Sequence, residues 1–198
     1  MYQLLLDSAN KLLLVGLAKD KKVIDVICYE AWQRQSEMMV PEIDNIMRRN
    51  NVSKKDIDAI VVGIGPGSYT GTRIAITIAK TMGYALKCKV YKASSLSLFR
   101  TPKEATICLL NARSGRSYFA VYLDNKVIEK DQVLENDEVK KYMESHPDYI
   151  VAGECEHLGI SSAPFDLARE LVSSINEENL VDNLFKLDPM YLKDLYKW

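Results

Sequence analysis

A β-branched run that empties into a glycine-rich turn and then into a long apolar helix constrains this chain more than any other feature. The stretch Ile60–Arg73 reads IVVGIGPGSYTGTR, which predicts a strand, a tight loop and a helix start in immediate succession. Gly63, Gly65 and Gly67 permit positive φ and close backbone approach, Pro66 holds one φ, and Ser68, Thr70 and Thr72 offer oxygens to the unpaired amides of the first helical turn. Such a joint either turns and caps the chain or holds an anion. It is not a P-loop, because no Gly-Lys-Ser/Thr ending follows and the nearest base, Arg73, falls inside the helix. Nor is it a nucleophile elbow: the spacing about Ser68 is Gly67-Ser68-Tyr69-Thr70-Gly71, with no histidine placed to activate the serine.

The rest of the chain arranges itself around that joint. Three short apolar segments, Gln3–Leu6, Leu12–Ala18 and Val23–Tyr29, separated by polar turns, predict an antiparallel meander. A helix over Gln35–Arg49, a strand over Ile57–Ile64, a helix over Tyr69–Leu86 and a strand near Lys89–Tyr91 follow. A short helix at Ser95–Phe99 and a linker at Arg100–Glu104 divide the chain into an N-terminal lobe, 1–100, and a shorter C-terminal lobe, 101–198. The second lobe repeats the order, with strands at Thr106–Leu110, Tyr118–Leu123 and Lys126–Glu129, a helix at Asp137–Glu144, a strand at Tyr149–Val151 and a helix at Asp166–Ser173. The expected fold class is therefore α/β, a duplicated β-β-β-α-β-α in two lobes. The tail Ile175–Leu187 is expected to be helical, with a short extended end at Pro189–Leu192.

Bulk properties narrow the function. Formal net charge is −1, from 26 basic and 27 acidic residues, so no field of one sign draws the molecule to nucleic acid or lipid. The start MYQLLLDSANKLLL carries no basic leader, and no apolar run nears the roughly 20 residues of a membrane span, which places the expected location in the cytoplasm. Cys28, Cys88, Cys108 and Cys155 form no C-x-x-C and suit reduced, buried thiols. His146 and His157 form no H-x-x-x-H pair, so no metal site is expected.

Two helices carry more apolar surface than a single sheet contact requires. At 100° per residue, Ile74, Ala85, Ile78, Met82, Ala75, Leu86, Ala79, Gly83 and Ile76 cover an arc of about 200° on the helix from Thr72 to Lys87. Ala75, Ala79 and Gly83 form a small-residue ridge where another helix could come close. On the helix from Ser36 to Asn50, Met39, Val40, Ile43, Ile46 and Met47 make a stripe of about 120°, suited to one sheet, and Met38 falls outside it. The edge bearing Ile76, Ala79 and Gly83, with Met38, is expected to face a second helix pair.

Four landmarks turn this outline into a family resemblance. Gln35-Ser36-Glu37 with Pro41-Glu42-Ile43, the run Val62–Ile74 with its GxGPGSxTGxR core, Asn111-Ala112-Arg113, and Pro189-Met190-Tyr191-Leu192-Lys193 together resemble the bacterial TsaB (YeaZ) family over nearly the whole chain. The resemblance implies the ribonuclease-H-like architecture of the actin/sugar-kinase/heat-shock-ATPase superfamily. It also implies a role in making N6-threonylcarbamoyladenosine beside the tRNA anticodon, as the non-catalytic partner of TsaD, which carries the H-x-x-x-H metal site. By that likeness the two helices supply the contact with TsaD, through Met38, Met39, Glu42, Ile76, Ala79 and Gly83, and a similar surface supports a homodimer when the chain is alone. TsaE is the implied third subunit, and tRNA is reached only through the complex.

Asp7-Ser8-Ala9 resembles the superfamily's first phosphate motif, so vestigial phosphate or nucleotide contacts are expected at Asp7, Ser8, Gly65, Gly67 and Ser68. No catalytic residue is expected. No cofactor is expected to be held tightly, and ADP or ATP enters only at the interface with the partner. The chain departs from the family pattern at Gln35, where a histidine is usual, at Asn111, where an aspartate is usual, and at Arg116-Ser117-Tyr118 in place of Glu-Val-Tyr. The rival reading is a free-standing enzyme, either a kinase-like ATPase or a glycoprotease-type peptidase, which would need paired carboxylates, a metal or an activated nucleophile in one cleft.

Overall fold

The computed structural model describes residues 1–31 and 33–192; Lys193 and the rest of the expected second lobe's end lie outside them. The strands are β1 (Tyr2–Asp7), β2 (Leu12–Lys19), β3 (Lys22–Glu30), β4 (Ile57–Gly63), β5 (Lys89–Ala93), β6 (Ala105–Arg113), β7 (Arg116–Leu123), β8 (Lys126–Glu135) and β9 (Ile150–Gly153). The helices are α1 (Gln35–Arg49), α2 (Tyr69–Leu86), α3 (Asn136–Ser145) and α4 (Leu167–Ser173). The segment expected as a helix at 95–99 is a single 3-10 turn, Ser97–Phe99.

The first compact unit comprises Met1–Ser95 and Leu167–Pro189. Its sheet has the order β3-β2-β1-β4-β5, antiparallel from β3 to β1 and parallel from β1 to β5. The run Leu4-Leu5-Leu6 and the apolar face of β4 are solvent-free because they sit at the centre of the sheet, where continuous apolar strands belong. α1 packs over β2 and β3, α2 over β1, β4 and β5, and the two helices touch each other. Burial along most of β1 and β2 requires cover on both faces, and α4, against β1 to β4, supplies the other side.

The second unit comprises Leu96–Asp166 and, among the described residues of the chain end, Met190–Leu192. Its sheet, β8-β7-β6-β9, repeats the antiparallel-then-parallel order of the first, with α3 placed between β8 and β9 as α1 stands between β3 and β4. The duplication read from element order is therefore present in the strand pairing itself. Its core gathers Ile107, Leu109, Phe119, Val121, Val139 and Cys155. α4 and the segment after it, expected in the C-terminal lobe, pack with the first unit instead.

That segment is also not the expected helix over 175–187. Asn176 Oδ1 accepts the Asn179 amide and Asn183 Oδ1 accepts the Phe185 amide, two asparagine turns that compete with helical pairing. The backbone lies along β5 instead: Val181 N–H donates to Val90 C=O and Lys92 N–H to Asn179 C=O, each at 2.9 Å. Cys108 and Cys155 are buried as expected, but Cys28 is exposed because β3 is an edge strand. No helix among the described residues is long and apolar enough to cross a membrane.

Candidate functional site

The glycine-rich loop docks onto the turn that joins β1 to β2, and glycine is what lets it dock. A Cβ at Gly63 would lie 1.9 Å from Asp7 Oδ1, one at Gly67 2.0 Å from the Ala9 carbonyl oxygen, and one at Gly71 1.9 Å from that of Ser8. Ser68 N–H donates to Ala9 C=O at 2.6 Å, and the Ser8 hydroxyl donates to Gly71 C=O at 2.8 Å. Ser68 Oγ then caps α2 by accepting the Gly71 amide. Ser95, at the end of β5, closes the arrangement: its hydroxyl donates to Asp7 Oδ1 at 2.8 Å and accepts the Gly65 amide at 3.0 Å, while its own amide donates to Gly65 C=O.

The structure thus brings Asp7, Ser8, Gly65, Gly67 and Ser68 together, but as partners of one another. Asp7 is 1 % exposed and has no open side for a cation, and its second oxygen accepts the Ala9 amide and the Asn10 side chain. The amides of Gly65 and Ser68, which would cradle a phosphate in an open loop, are engaged within the chain. Ser95 was not singled out by sequence reasoning, because a serine after a short strand carries no motif; only the fold brings it to Asp7.

Burial pushes the Asp7 carboxyl up to about 6, against the opposing pull of the Ser95 hydroxyl and the Ala9 amide. Between the ordinary value of 3.8 and about 6 the folded state holds a proton that the unfolded chain has lost, so stability falls as pH rises through that window. Relative to Asp7→Asn, the natural chain is expected to lose up to about 3 kcal/mol of unfolding free energy from pH 4 to pH 7. Urea unfolding of both proteins at several pH values checks this; a difference that does not change with pH refutes it.

The second unit holds its polar groups in the same inward fashion. The Ser117 hydroxyl donates to Asn136 Oδ1 at 2.9 Å, so its 2.7 Å contact with His157 is made by an Nε2–H donating to Ser117. Burial lowers the pKa of His157 and favours this neutral form. Ser117 is fully buried, and a serine that accepts the imidazole proton is the reverse of an activated nucleophile. Asn111, at the tip of β6, has its amide on Glu154 and its side-chain oxygen on the Arg113 amide.

The helix pair differs from expectation in which edge it leaves open. Ala79 is 0 % exposed, Ile76 3 % and Met39 0 %, and Gly83 is buried where a Cβ would stand 2.6 Å from Val90 Cγ2. These four are packed within their own unit and have no surface to offer. At Gly83 the small-residue ridge serves the close approach of α2 to β5 of its own sheet. Met38 and Glu42 are half-buried, and Glu42 accepts from the Tyr29 hydroxyl while Arg49 pairs with Asp25, which ties that flank of α1 to β3.

Val40, expected against the sheet, is 56 % exposed. It lies on the flank of α1 away from β3 and therefore on the side of α2. Lys80 reaches Asp188 and Tyr84 meets Phe185 edge to face, which ties one flank of α2 to the tail segment. The other flank carries half-buried Ile74, Ile78 and Met82 with exposed Ala85, within an arc of about 80°. An accessible apolar strip consequently runs along the seam of α1 and α2.

Two units of like topology, each an antiparallel meander extended by parallel pairing, define an actin/sugar-kinase/heat-shock-ATPase-type α/β protein. The family model of the tRNA N6-adenosine threonylcarbamoyltransferase TsaD matches residues 25–162. The tRNA threonylcarbamoyladenosine biosynthesis protein TsaB of Bacillus subtilis is 29 % identical over 123 residues, 60 % of this chain and 54 % of that protein, so the match spans about half of that relative. An uncharacterized protein of Mycoplasma genitalium is 26 % identical over 196 residues, 98 % of this chain and 95 % of its own length. The solved structure of YeaZ from Pseudomonas aeruginosa superposes with a TM-score of 0.83 at 20 % identity, covering 96 % of this chain and 99 % of the other, which shows a common fold. The chain belongs to the family that the matching model describes, and within it to the TsaB (YeaZ) proteins.

Proposed function

We propose that this chain takes part in the biosynthesis of threonylcarbamoyladenosine in tRNA as the non-catalytic partner subunit of TsaD. The observation that carries the reading is the pairing of a closed phosphate loop with an open apolar seam. Asp7 and the amides of Gly65 and Ser68 are engaged inside the chain, whereas Val40, Ile74, Ile78 and Met82 remain accessible along α1 and α2. A protein that has closed its own reaction site and kept a surface is built to act through another subunit. The seam is the docking surface for TsaD, and the contact serves the cytoplasmic complex that TsaE joins. Nucleotide belongs to the contact between subunits rather than to the loop of the first unit, and tRNA is held mainly by the partner, since this chain's charges balance.

Reconstitution tests the reading. Adding the purified chain to its cognate TsaD with threonylcarbamoyl-adenylate and unmodified tRNA is expected to raise modified tRNA at least about tenfold, the effect of assembling a competent site. The chain alone is expected to turn over neither ATP nor peptide. Absence of stimulation, or an ATPase activity lost in Asp7→Asn, overturns the proposal.

A further inference from the structure

A net charge near zero conceals an uneven placement of charge. Residues 1–95 hold 14 basic and 9 acidic side chains, and the remainder of the chain holds 12 and 18. Strand pairing gathers the basic excess at one end of the first sheet. Tyr2 lies opposite Lys19 and beside Ile57, Lys19 lies opposite Lys22, and Lys89 is level with Ala59. The turn at 19–22, the 3-10 turn Lys54–Asp56 that leads into β4, and the segment 87–89 between α2 and β5 therefore all come to the end where β1, β4 and β5 begin.

Lys19, Lys22, Lys54, Lys55, Lys87 and Lys89 are all exposed there. Among the described residues none of the six forms an ion pair. The neighbouring aspartates are engaged with the backbone or the chain start: Asp58 Oδ2 accepts the Tyr2 amide at 2.6 Å, Asp56 Oδ2 accepts the Ser53 amide at 2.8 Å, and Asp20 holds the Met1 ammonium at 2.7 Å. The Asp20 carboxyl is held below its usual range chiefly by that ammonium, and Lys19 and Lys22 add to the pull. Asp182, which shares a cleft with Lys87, is the further acid at this end. A surface shaped only by solubility mixes the two signs. Here an end about four strand spacings wide, roughly 19 Å, is dominated by one sign and attracts a polyanion.

We propose that this basic end of the first sheet is a contact for the phosphate backbone of tRNA, which it holds without reading sequence. The choice of RNA as the polyanion rests on the threonylcarbamoyladenosine reading; the basic end itself does not. Lysines are point charges on flexible stems, suited to phosphates and not to the edges of bases. A few such contacts hold RNA weakly on the chain alone, with a dissociation constant on the order of 10–100 μM at low salt. In the complex they add to the partner's grip and fix the direction in which the RNA lies.

Fluorescence anisotropy of labelled, unmodified tRNA over a series of salt concentrations tests this, with the full chain alone and with the chain assembled on cognate TsaD. Lys22→Gln, Lys54→Gln and Lys55→Gln combined should still assemble with TsaD. The same triple variant should weaken tRNA binding at least about tenfold, and should flatten the slope of log affinity against log salt by about 2, since each lost phosphate contact removes about 0.7–0.9. Lys126→Gln, Lys140→Gln and Lys141→Gln combined remove equal charge from exposed sites of the second unit and should change neither quantity. A complex of the first triple variant that binds tRNA with unchanged affinity and slope overturns the inference and leaves the TsaD reading standing. A natural chain that does not join TsaD overturns that reading instead, and the titration of the chain alone then decides the inference by the same slope. Equal losses in the two triple variants overturn it, as does binding of the natural chain to phosphatidylserine-containing vesicles more tightly than to tRNA.

Discussion

Ala79→Arg is expected to unfold the first unit. Ala79 is wholly buried where α2 lies on its sheet, and an arginine there adds several heavy atoms and an unpaired charge to a packed interior. Overpacking costs about 1–3 kcal/mol, and an uncompensated buried charge about 3–5 kcal/mol more. Together they approach the whole stability of an ordinary domain, about 5–15 kcal/mol. Gly83→Val should act in the same direction more mildly, by about 1–3 kcal/mol, because its side chain would press on Val90. Urea or thermal unfolding of the purified variants measures both. An Ala79→Arg protein that melts with the natural one but no longer binds TsaD would place the ridge at a subunit contact and reverse this account of α2.

Ile78→Asp should have the opposite profile, a folded protein that has lost its partner. Ile78 is half-buried on the seam edge of α2, between Ile74 and Met82, so a carboxylate there can turn to water in the free chain at a cost of about 1 kcal/mol. In the complex it would be stripped of water without a cation to meet it. That penalty, about 3–4 kcal/mol, weakens binding by a factor of roughly 100 to 1,000. Val40→Asp, on the facing helix, should do the same and leave unfolding nearly unchanged, since Val40 is already more than half exposed. Calorimetric titration against cognate TsaD, with the Lys22, Lys54 and Lys55 triple variant as the one that should still bind, is the measurement. Undiminished affinity of both seam variants would move the contact elsewhere.

Local chemistry was well legible from the order of residues. The span of α1 and that of α2, Tyr69–Leu86, agree with the periodicity, and the meander, the joint after β4 and the repeated element order stand in the strand pairing. These depend on interactions between residues a few positions apart: a serine cap, a run of β-branched residues, glycines at a turn. The tail departs from the expected helix for an equally local reason, since Asn176 and Asn183 bond to the backbone two or three residues on and draw it away from a helix.

Helical periodicity determines the angle of each side chain about its own axis and nothing about which neighbour stands at that angle. An arc of about 200° on α2 was therefore sound, while the choice between its two edges was not contained in it. The tertiary structure made that choice, because Gly83 lets α2 settle against Val90 and turns the edge bearing Ile76 and Ala79 inward, which leaves Ile74, Ile78 and Met82 half-buried on the other. The same division holds at the loop. The residues around Ser68 specify a capped turn by themselves, but whether that turn holds an anion depends on Ser95 and Asp7, 88 positions apart in the chain and brought to 2.8 Å by the parallel stacking of β1, β4 and β5.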